Sequence, residues 1–326
     1  MLLVTGGAGF IGSNVVAALN EAGRSDVTVC DFLGHDGKWR NLVKRRLADI
    51  VPPAELPDWL KGRRLDAIIH LGAISDTTAT DGDLVIETNF RLSMRLLDWC
   101  TVNATPLIYA SSAATYGDGA QGFRDDPSID ALKTLRPMNL YGWSKHLFDI
   151  AVAERAANGD RLPPQWVGLK FFNVFGPNEY HKGAMMSVLA RRFDDVKAGR
   201  AVQLFKSHRS GIADGDQCRD FIYVDDAVRV VMWLLATPSV SGLFNVGTGT
   251  ARSFKDLMLA AYAALGAKPN IEYVDMPEAI RGSYQYFTQS EVDRLRSAGY
   301  NGGFTALEDA VDAYVKGFLD RTDRFR

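Results

Sequence analysis

The 326 residues are 47% hydrophobic and 23% charged, a globular composition at a length for one large or two modest domains, which excludes disordered and fibrous readings. With 37 basic against 39 acidic side chains the net charge is -2, so no cationic excess marks the chain for nucleic acid or an anionic membrane, and a small ligand is the expected partner. Three cysteines, Cys30, Cys100 and Cys218, share no close spacing and stand beside only five histidines, which argues against a disulfide framework or a Cys/His metal site and for a reducing, cytoplasmic compartment.

Met1 to Asn20 carries no charged residue, a stretch long enough to raise the question of a membrane span. Gly6, Gly7, Gly9 and Gly12, with the polar Thr5, Ser13 and Asn14, make it too irregular for lipid, and no basic segment precedes its apolar part. The pattern instead predicts a strand at Leu2-Leu3-Val4, a glycine turn, and a helix whose apolar Ile11, Val15, Val16 and Leu19 recur at helical spacing. Further apolar runs follow at Val27 to Cys30, Ala67 to His70, Pro106 to Ala110 and Val167 to Phe172, separated by helix-length segments. Such runs predict parallel strands covered on both faces, in a doubly wound α/β sheet of the Rossmann kind. Phe221 to Val224 and Leu243 to Gly247 read as strands returning to that sheet. The expected division is therefore a dinucleotide-binding domain of 1–172 plus 221–250, with a smaller substrate-binding lobe of 173–220 plus 251–326. The charged tail from Asp320 to Arg326 is expected to fray.

Within this frame, Gly6-Gly7-Ala8-Gly9-Phe10-Ile11-Gly12 places glycine where a turn must tighten, where backbone N–H groups must approach a pyrophosphate, and where a helix must pack close to a strand. A glycine turn after a strand is common, so context carries the reading. The next strand ends in Asp31, placed to accept from the adenosine ribose hydroxyls. That carboxylate favours NAD by repelling a 2'-phosphate, whereas His35, Lys38 and Arg40 could neutralise one; residue chemistry alone leaves NAD and NADP both open.

Asn139 reads as the cap of a helix carrying Tyr141 and Lys145. Four residues apart, the two share a face, so the ammonium is expected to lower the phenol's pKa and to reach the nicotinamide ribose. Ser112, at the end of a neighbouring strand, is placed to hold the reacting oxygen near the phenol. A Tyr-x-x-x-Lys string alone is nonspecific; joined in order to the glycine loop and the serine cluster, it reads as a catalytic set.

These marks, with Leu71-Gly72-Ala73, Asn89 and Arg219-Asp220-Phe221-Ile222-Tyr223-Val224-Asp225-Asp226, resemble the extended short-chain dehydrogenases/reductases that act on nucleotide sugars. Three further strings, Tyr109 to Gly117, Phe172-Asn173-Val174-Phe175-Gly176-Pro177-Asn178-Glu179-Tyr180-His181-Lys182-Gly183, and Tyr284 to Gln289, resemble the branch that epimerises ADP-linked heptose for the lipopolysaccharide core. The resemblance implies an isomerase with Tyr141 and Lys182 as acid/base residues, Ser112 assisting and Lys145 holding the cofactor. It implies cofactor contacts at Gly6, Gly9, Phe10, Ile11, Gly12, Asp31, Phe32, Lys38, Leu71, Gly72, Ala73, Ile74, Ser75, Asn89, Val174 and Lys182. Contacts to the ADP-sugar are implied at Ser112, Asn173, Arg191, Phe205, Lys206, Arg219 and Tyr284, NADP is implied over NAD, and a homo-oligomer such as a pentamer is the implied assembly. Departures are a longer segment from Lys206 to Gln217, Ala184 where relatives often have serine, and Pro52-Pro53 where a basic cofactor contact is expected.

The branch chemistry explains why two acid/base groups are needed. C6 of the heptose lies on an exocyclic arm next to no carbonyl, so its proton cannot be removed directly; oxidation to a 6-ketone, rotation of the arm and reduction from the other face can invert it. The oxygen then points elsewhere, and a second group must serve it. Lysines are mostly solvated or ligand-binding, so the catalytic reading of Lys182 comes from the resemblance. Two other readings are a nucleotide-sugar 4,6-dehydratase, for which Ala113 and Ala114 supply no acid/base pair, and a non-catalytic dinucleotide sensor, which would not need Tyr141 and Lys145. Another epimerase or reductase of the same family is the remaining alternative.

Overall fold

Leu2–Thr5 (β1), Val27–Cys30 (β2) and Ala67–His70 (β4) are buried at every position, as strands covered by helices on both faces must be. With Asp49–Val51 (β3), Leu107–Ser112 (β5), Trp166–Phe171 (β6) and Gly242–Val246 (β10) they form a parallel sheet ordered β10-β6-β5-β4-β1-β2-β3. The computed structural model describes residues 1–282 and 284–326. Successive side chains go to opposite sides: Leu2, Val4, Ile69 and Ile108 join one core, while Leu3, Ile68, Leu107 and Tyr109 join the other. The first core continues without a break into Leu189, Phe193, Leu257 and Tyr314. No helix among the described residues is long and apolar enough to cross a membrane.

The strand order reverses at β1, which has β2 on one side and β4 on the other. Ligands of open α/β sheets bind beyond the carboxyl ends of the strands at such a reversal. Here those ends lead into Gly6 and Leu71, and the Thr5 carbonyl accepts from the Leu71 N–H at 3.0 Å. The buried His70 ring ties the reversal together. Its Nδ1 meets the Thr5 hydroxyl at 2.6 Å and its Nε2 meets Ser93 at 2.8 Å, and burial pushes its pKa down to about 3, so the ring is a neutral brace.

Two expectations are corrected, and some strands have no counterpart in the sequence reading. Edge strand β3 has no counterpart in the sequence reading, because two of its three residues are exposed and Pro52-Pro53 follows at once. Phe221 to Val224 does not return to the large sheet. It belongs to Cys218–Tyr223 (β9), which pairs in parallel with Asn173–Phe175 (β7) and antiparallel with Ala251–Ser253 (β11); an apolar run announces a strand without saying which partner it takes. A third sheet pairs Val202–Phe205 (β8) with Ile271–Val274 (β12). Lastly, the tail does not fray: Arg326 binds Asp225 and Glu21, Lys197 pairs with Asp320 at 2.6 Å, and Lys44 pairs with Asp323 at 2.7 Å. Its charges find opposite charges on the surface it crosses.

Candidate active site

The helix Phe10–Glu21 begins at Gly9 with no side-chain cap, which leaves the N–H groups of its first turn for a ligand. The loop before it is shaped by close backbone approach. Gly6 has φ +67°, and a Cβ there would lie 2.5 Å from the Gly72 nitrogen; a Cβ on Gly12 would lie 2.1 Å from the Gly6 carbonyl oxygen. Asp31 accepts from the Ala8 N–H at 2.8 Å and from Lys38 Nζ at 2.9 Å, so loop, carboxylate and lysine are locked together at the end of β2.

Asn139 caps the helix Leu140–Asn158, accepting from the Gly142 N–H at 2.8 Å. Gly142 lets this helix close on the turn after β5, since a Cβ there would come 2.7 Å from the Ala114 carbonyl. Tyr141 thereby faces Ser112, whose hydroxyl accepts from the Ala114 N–H at 3.1 Å. Burial raises the Tyr141 pKa while Ser112 pulls it down. The lowering expected from Lys145 is not found: the only downward pull comes from Ser112, and burial outweighs it. Lys145 is 3% exposed, and burial pushes it down to about 8 against the opposing pull of Asp149. Its ammonium forms no ion pair or hydrogen bond among the described residues, since the nearby Asp149 carboxylate is taken by Lys170 at 2.7 Å. The uncapped helix start and this unpartnered ammonium in one cleft are the donor set that a pyrophosphate and a ribose require.

Lys182 arrives from a third element, the irregular segment Tyr180–Met185. Buried Glu179 anchors it, accepting from the Ser187 N–H at 2.6 Å, the Ser187 hydroxyl at 2.8 Å and the Tyr314 hydroxyl at 3.1 Å. The Lys182 Nζ lies 5.3 Å from the Phe10 ring centroid, and burial lowers its pKa against the pull of Glu179.

One cleft of about 440 Å³ is lined by Gly6, Gly9, Phe10, Ile11, Gly12, Asp31, Lys38, Leu71, Gly72, Ala73, Ser75, Ser112, Tyr141, Lys145, Asn173, Val174 and Lys182. Of the remaining expected positions, Phe32 is 62% exposed and is not in that lining. Ile74 and Asn89 are also outside it, because they spend their polar atoms on each other. The Asn89 amide exchanges hydrogen bonds with the Ile74 backbone at 2.8 and 2.9 Å and donates to Ser144 at 3.0 Å. Asn89 therefore fixes the loop after β4 against the helix of Tyr141. Arg191, Phe205, Lys206, Arg219 and Tyr284 are absent from the lining as well. Three of them cluster: the Arg219 guanidinium stands 5.1 Å from the Tyr284 ring, and that ring meets Phe205 edge-on at 6.3 Å. Arg219 also lies 5.4 Å from Phe254, a lining residue, so this cluster is one ring away from the cleft. Lys206 pairs with Asp275 at 3.4 Å, and Arg191 is an exposed side chain of the helix Val188–Lys197.

The lining also includes His181, Met186, Phe221 and Phe254, which sequence reasoning did not select. His181 neighbours Lys182, but the apolar three carry no sequence signal that separates cleft from core.

The sheet reversal, the glycine loop and the Ser-Tyr-Lys set define a dinucleotide-dependent enzyme of nucleotide-sugar type. The chain matches the NAD dependent epimerase/dehydratase family over residues 2–247 and belongs to it. It is 47% identical, over 100% of both chains, to an ADP-L-glycero-D-manno-heptose-6-epimerase of Nitratidesulfovibrio vulgaris. The crystal structure of the Helicobacter pylori ADP-L-glycero-D-manno-heptose-6-epimerase aligns at a TM-score of 0.79 and 28% identity, covering 97% of this chain and 95% of that one. The Thermus thermophilus UDP-glucose 4-epimerase in complex with NAD aligns at 0.74 and 25%, covering 97% of each.

Proposed function

We propose that this enzyme interconverts ADP-D-glycero-β-D-manno-heptose and ADP-L-glycero-β-D-manno-heptose through a 6-keto intermediate, a step toward lipopolysaccharide core heptose. The observation that carries the reading is the convergence of Tyr141 and Lys182, from separate elements, on the cleft that also holds the glycine loop; the 47% relative points to the same substrate. The dinucleotide, when bound, supplies reversible hydride transfer at C6. Ser112 orients the C6 oxygen, and Lys145 holds the nicotinamide ribose. Tyr141 and Lys182 divide the proton transfers: one takes the C6 hydroxyl proton as the ketone forms, and the other returns a proton to the oxygen after the arm has turned.

The segment 173–220 plus 251–326 acts in this reading as the substrate lobe, with the Arg219, Tyr284 and Phe205 cluster at the nucleotide end. NADP is the cofactor, with Lys38 offsetting the charge of Asp31 beside the 2'-phosphate. The setting is cytoplasmic, and exposed Leu84, Val102 and Trp143 suit association of copies into a homo-oligomer, a pentamer in this reading.

The test follows C6 configuration of an ADP-heptose by NMR. Tyr141→Phe and Lys182→Met should each stop epimerisation with cofactor still bound, and Lys145→Met should weaken cofactor binding as well. Near-normal activity in Lys182→Met would refute the two-group mechanism. Extraction of NAD alone, with Lys38→Ala leaving affinity unchanged, would refute the NADP assignment.

A further inference from the structure

The loop that carries Lys182 has little regular structure of its own. Asn178, just before it, is buried with φ +74°, a left-handed turn that asparagine tolerates better than other non-glycine residues. Gly183, just after it, also has positive φ, and both Gly183 and Ala184 are exposed. A lysine on such a loop would ordinarily extend its ammonium into water, yet Lys182 lies partly buried near Phe10.

The last residues of the chain lie across this loop. The Tyr180 hydroxyl donates to the Arg324 carbonyl at 2.8 Å, and its ring meets Phe325 edge-on at 5.3 Å. The Arg326 N–H donates to the Asn178 side-chain oxygen at 3.0 Å. The same segment is fastened at its other side to the cofactor half of the molecule. Lys44 donates to the Phe325 carbonyl at 2.6 Å, and the Arg326 guanidinium reaches Glu21 at 3.0 Å, Asn14 at 3.3 Å and Asp225. Asn178 is further tied to the helix of the glycine loop, donating to Ser13 at 3.0 Å. Its carbonyl accepts at 3.1 Å from Asn41, which also donates to the Ala8 carbonyl at 2.9 Å.

We propose that Asp323 to Arg326 is a strap that positions Lys182, with Asn178 and Tyr180 as the positioning residues it clamps. The strap spans from the elements that carry the glycine loop and Lys38 to the loop that carries Lys182, and so fixes the distance between cofactor and proton-transfer group. This role rests on the reading of Lys182 as one of the two proton-transfer groups.

The experiment compares the full chain with a chain ending at Asp323, with Arg326→Ala, and with Tyr180→Phe, which removes only the hydroxyl donor. Expected is a fall in kcat on the order of tenfold to a hundredfold for the shortened chain, the size of effect that misplacing a reacting group produces. The KM and bound cofactor should be little changed. The limb of the kcat profile that titrates Lys182 should move to higher pH, because a released lysine regains its hydration. Amide hydrogen exchange at residues 180–185 should quicken while that of β9 stays the same. Removing the strap in a Lys182→Met background should add nothing further. If the shortened chain does not fold, exchange and the pH profile of Arg326→Ala and Tyr180→Phe decide. Unchanged exchange at 180–185 with an unchanged pH profile overturns the strap, as does a loss of kcat that merely follows loss of cofactor. Full activity in Lys182→Met alone overturns the underlying two-group reading, and exchange at 180–185 still reports separately whether the strap orders the loop.

Discussion

Lys145 lines the cleft with its side chain almost wholly covered, and burial takes its pKa down to about 8 from an ordinary value of 10.5. Because the folded pKa lies below the unfolded one, the unfolded chain binds more protons between those two values. Stability on this account therefore rises with pH from about 8 to 10.5, and the full penalty is present below pH 8. Lys145→Met should relieve it, making the cofactor-free protein more stable at pH 7 by on the order of 3 kcal/mol. That advantage should shrink as the pH approaches 10. Urea unfolding of both proteins across this range measures it, and two parallel stability curves would refute it. At this scale the sequence was informative about identity and silent about environment. Tyr141, Lys145 and their shared helix face were legible from a cap and a four-residue spacing. The direction of the Tyr141 shift was not, because desolvation depends on everything that packs over the phenol.

Among the elements, the glycine loop makes a sharp comparison possible. A Cβ on Gly12 would overlap the Gly6 carbonyl oxygen, whereas one on Gly9 meets that oxygen at 3.0 Å with nothing else closer than about 4 Å. Gly12→Ala should therefore lower the melting temperature as well as abolish cofactor binding. Gly9→Val should lose binding with a smaller loss of stability, since its side chain extends toward the pyrophosphate position. Calorimetry with and without dinucleotide separates the two, and normal binding by Gly9→Val would remove the loop from the cofactor site. The five strands predicted up to residue 172 were legible because both-face burial makes them continuous apolar runs. β3 was not legible, being short, half-exposed and at an edge. β9 was legible as a strand but not in its pairing, which is set by β7 and β11 from distant parts of the chain. Asn89 shows the same limit: its place in the chain suggested a cofactor ligand, and only packing reveals that both ends of its amide are spent on Ile74 and Ser144.

Taken as a whole, the molecule is held across its sheets by a few buried polar hubs rather than by its surface ion pairs, which contribute little individually. Asp220 of β9 accepts from the N–H and hydroxyl groups of both Thr248 and Ser290, and from the Gly249 N–H. It thus ties the small sheet to the turn after β10 and to the segment preceding the last helices. Asp220→Ala leaves several of these donors buried without an acceptor, and should cost on the order of 3 kcal/mol; a change below 1 kcal/mol in urea unfolding would refute this. None of that hub could be read from the Arg-Asp-Phe string alone, since its partners lie up to seventy residues away. The sheet order has a consequence for synthesis. β10 completes the large sheet beside β6, yet it follows β6 in the chain by a long excursion through the small sheets. At ordinary elongation rates the ribosome needs roughly 4–14 s to make that stretch. Throughout that interval the nascent chain exposes the unpaired apolar edge of Trp166–Phe171, the kind of edge on which chains join to one another. Cotranslational chaperone demand should therefore peak there and fall once Val246 has left the exit tunnel.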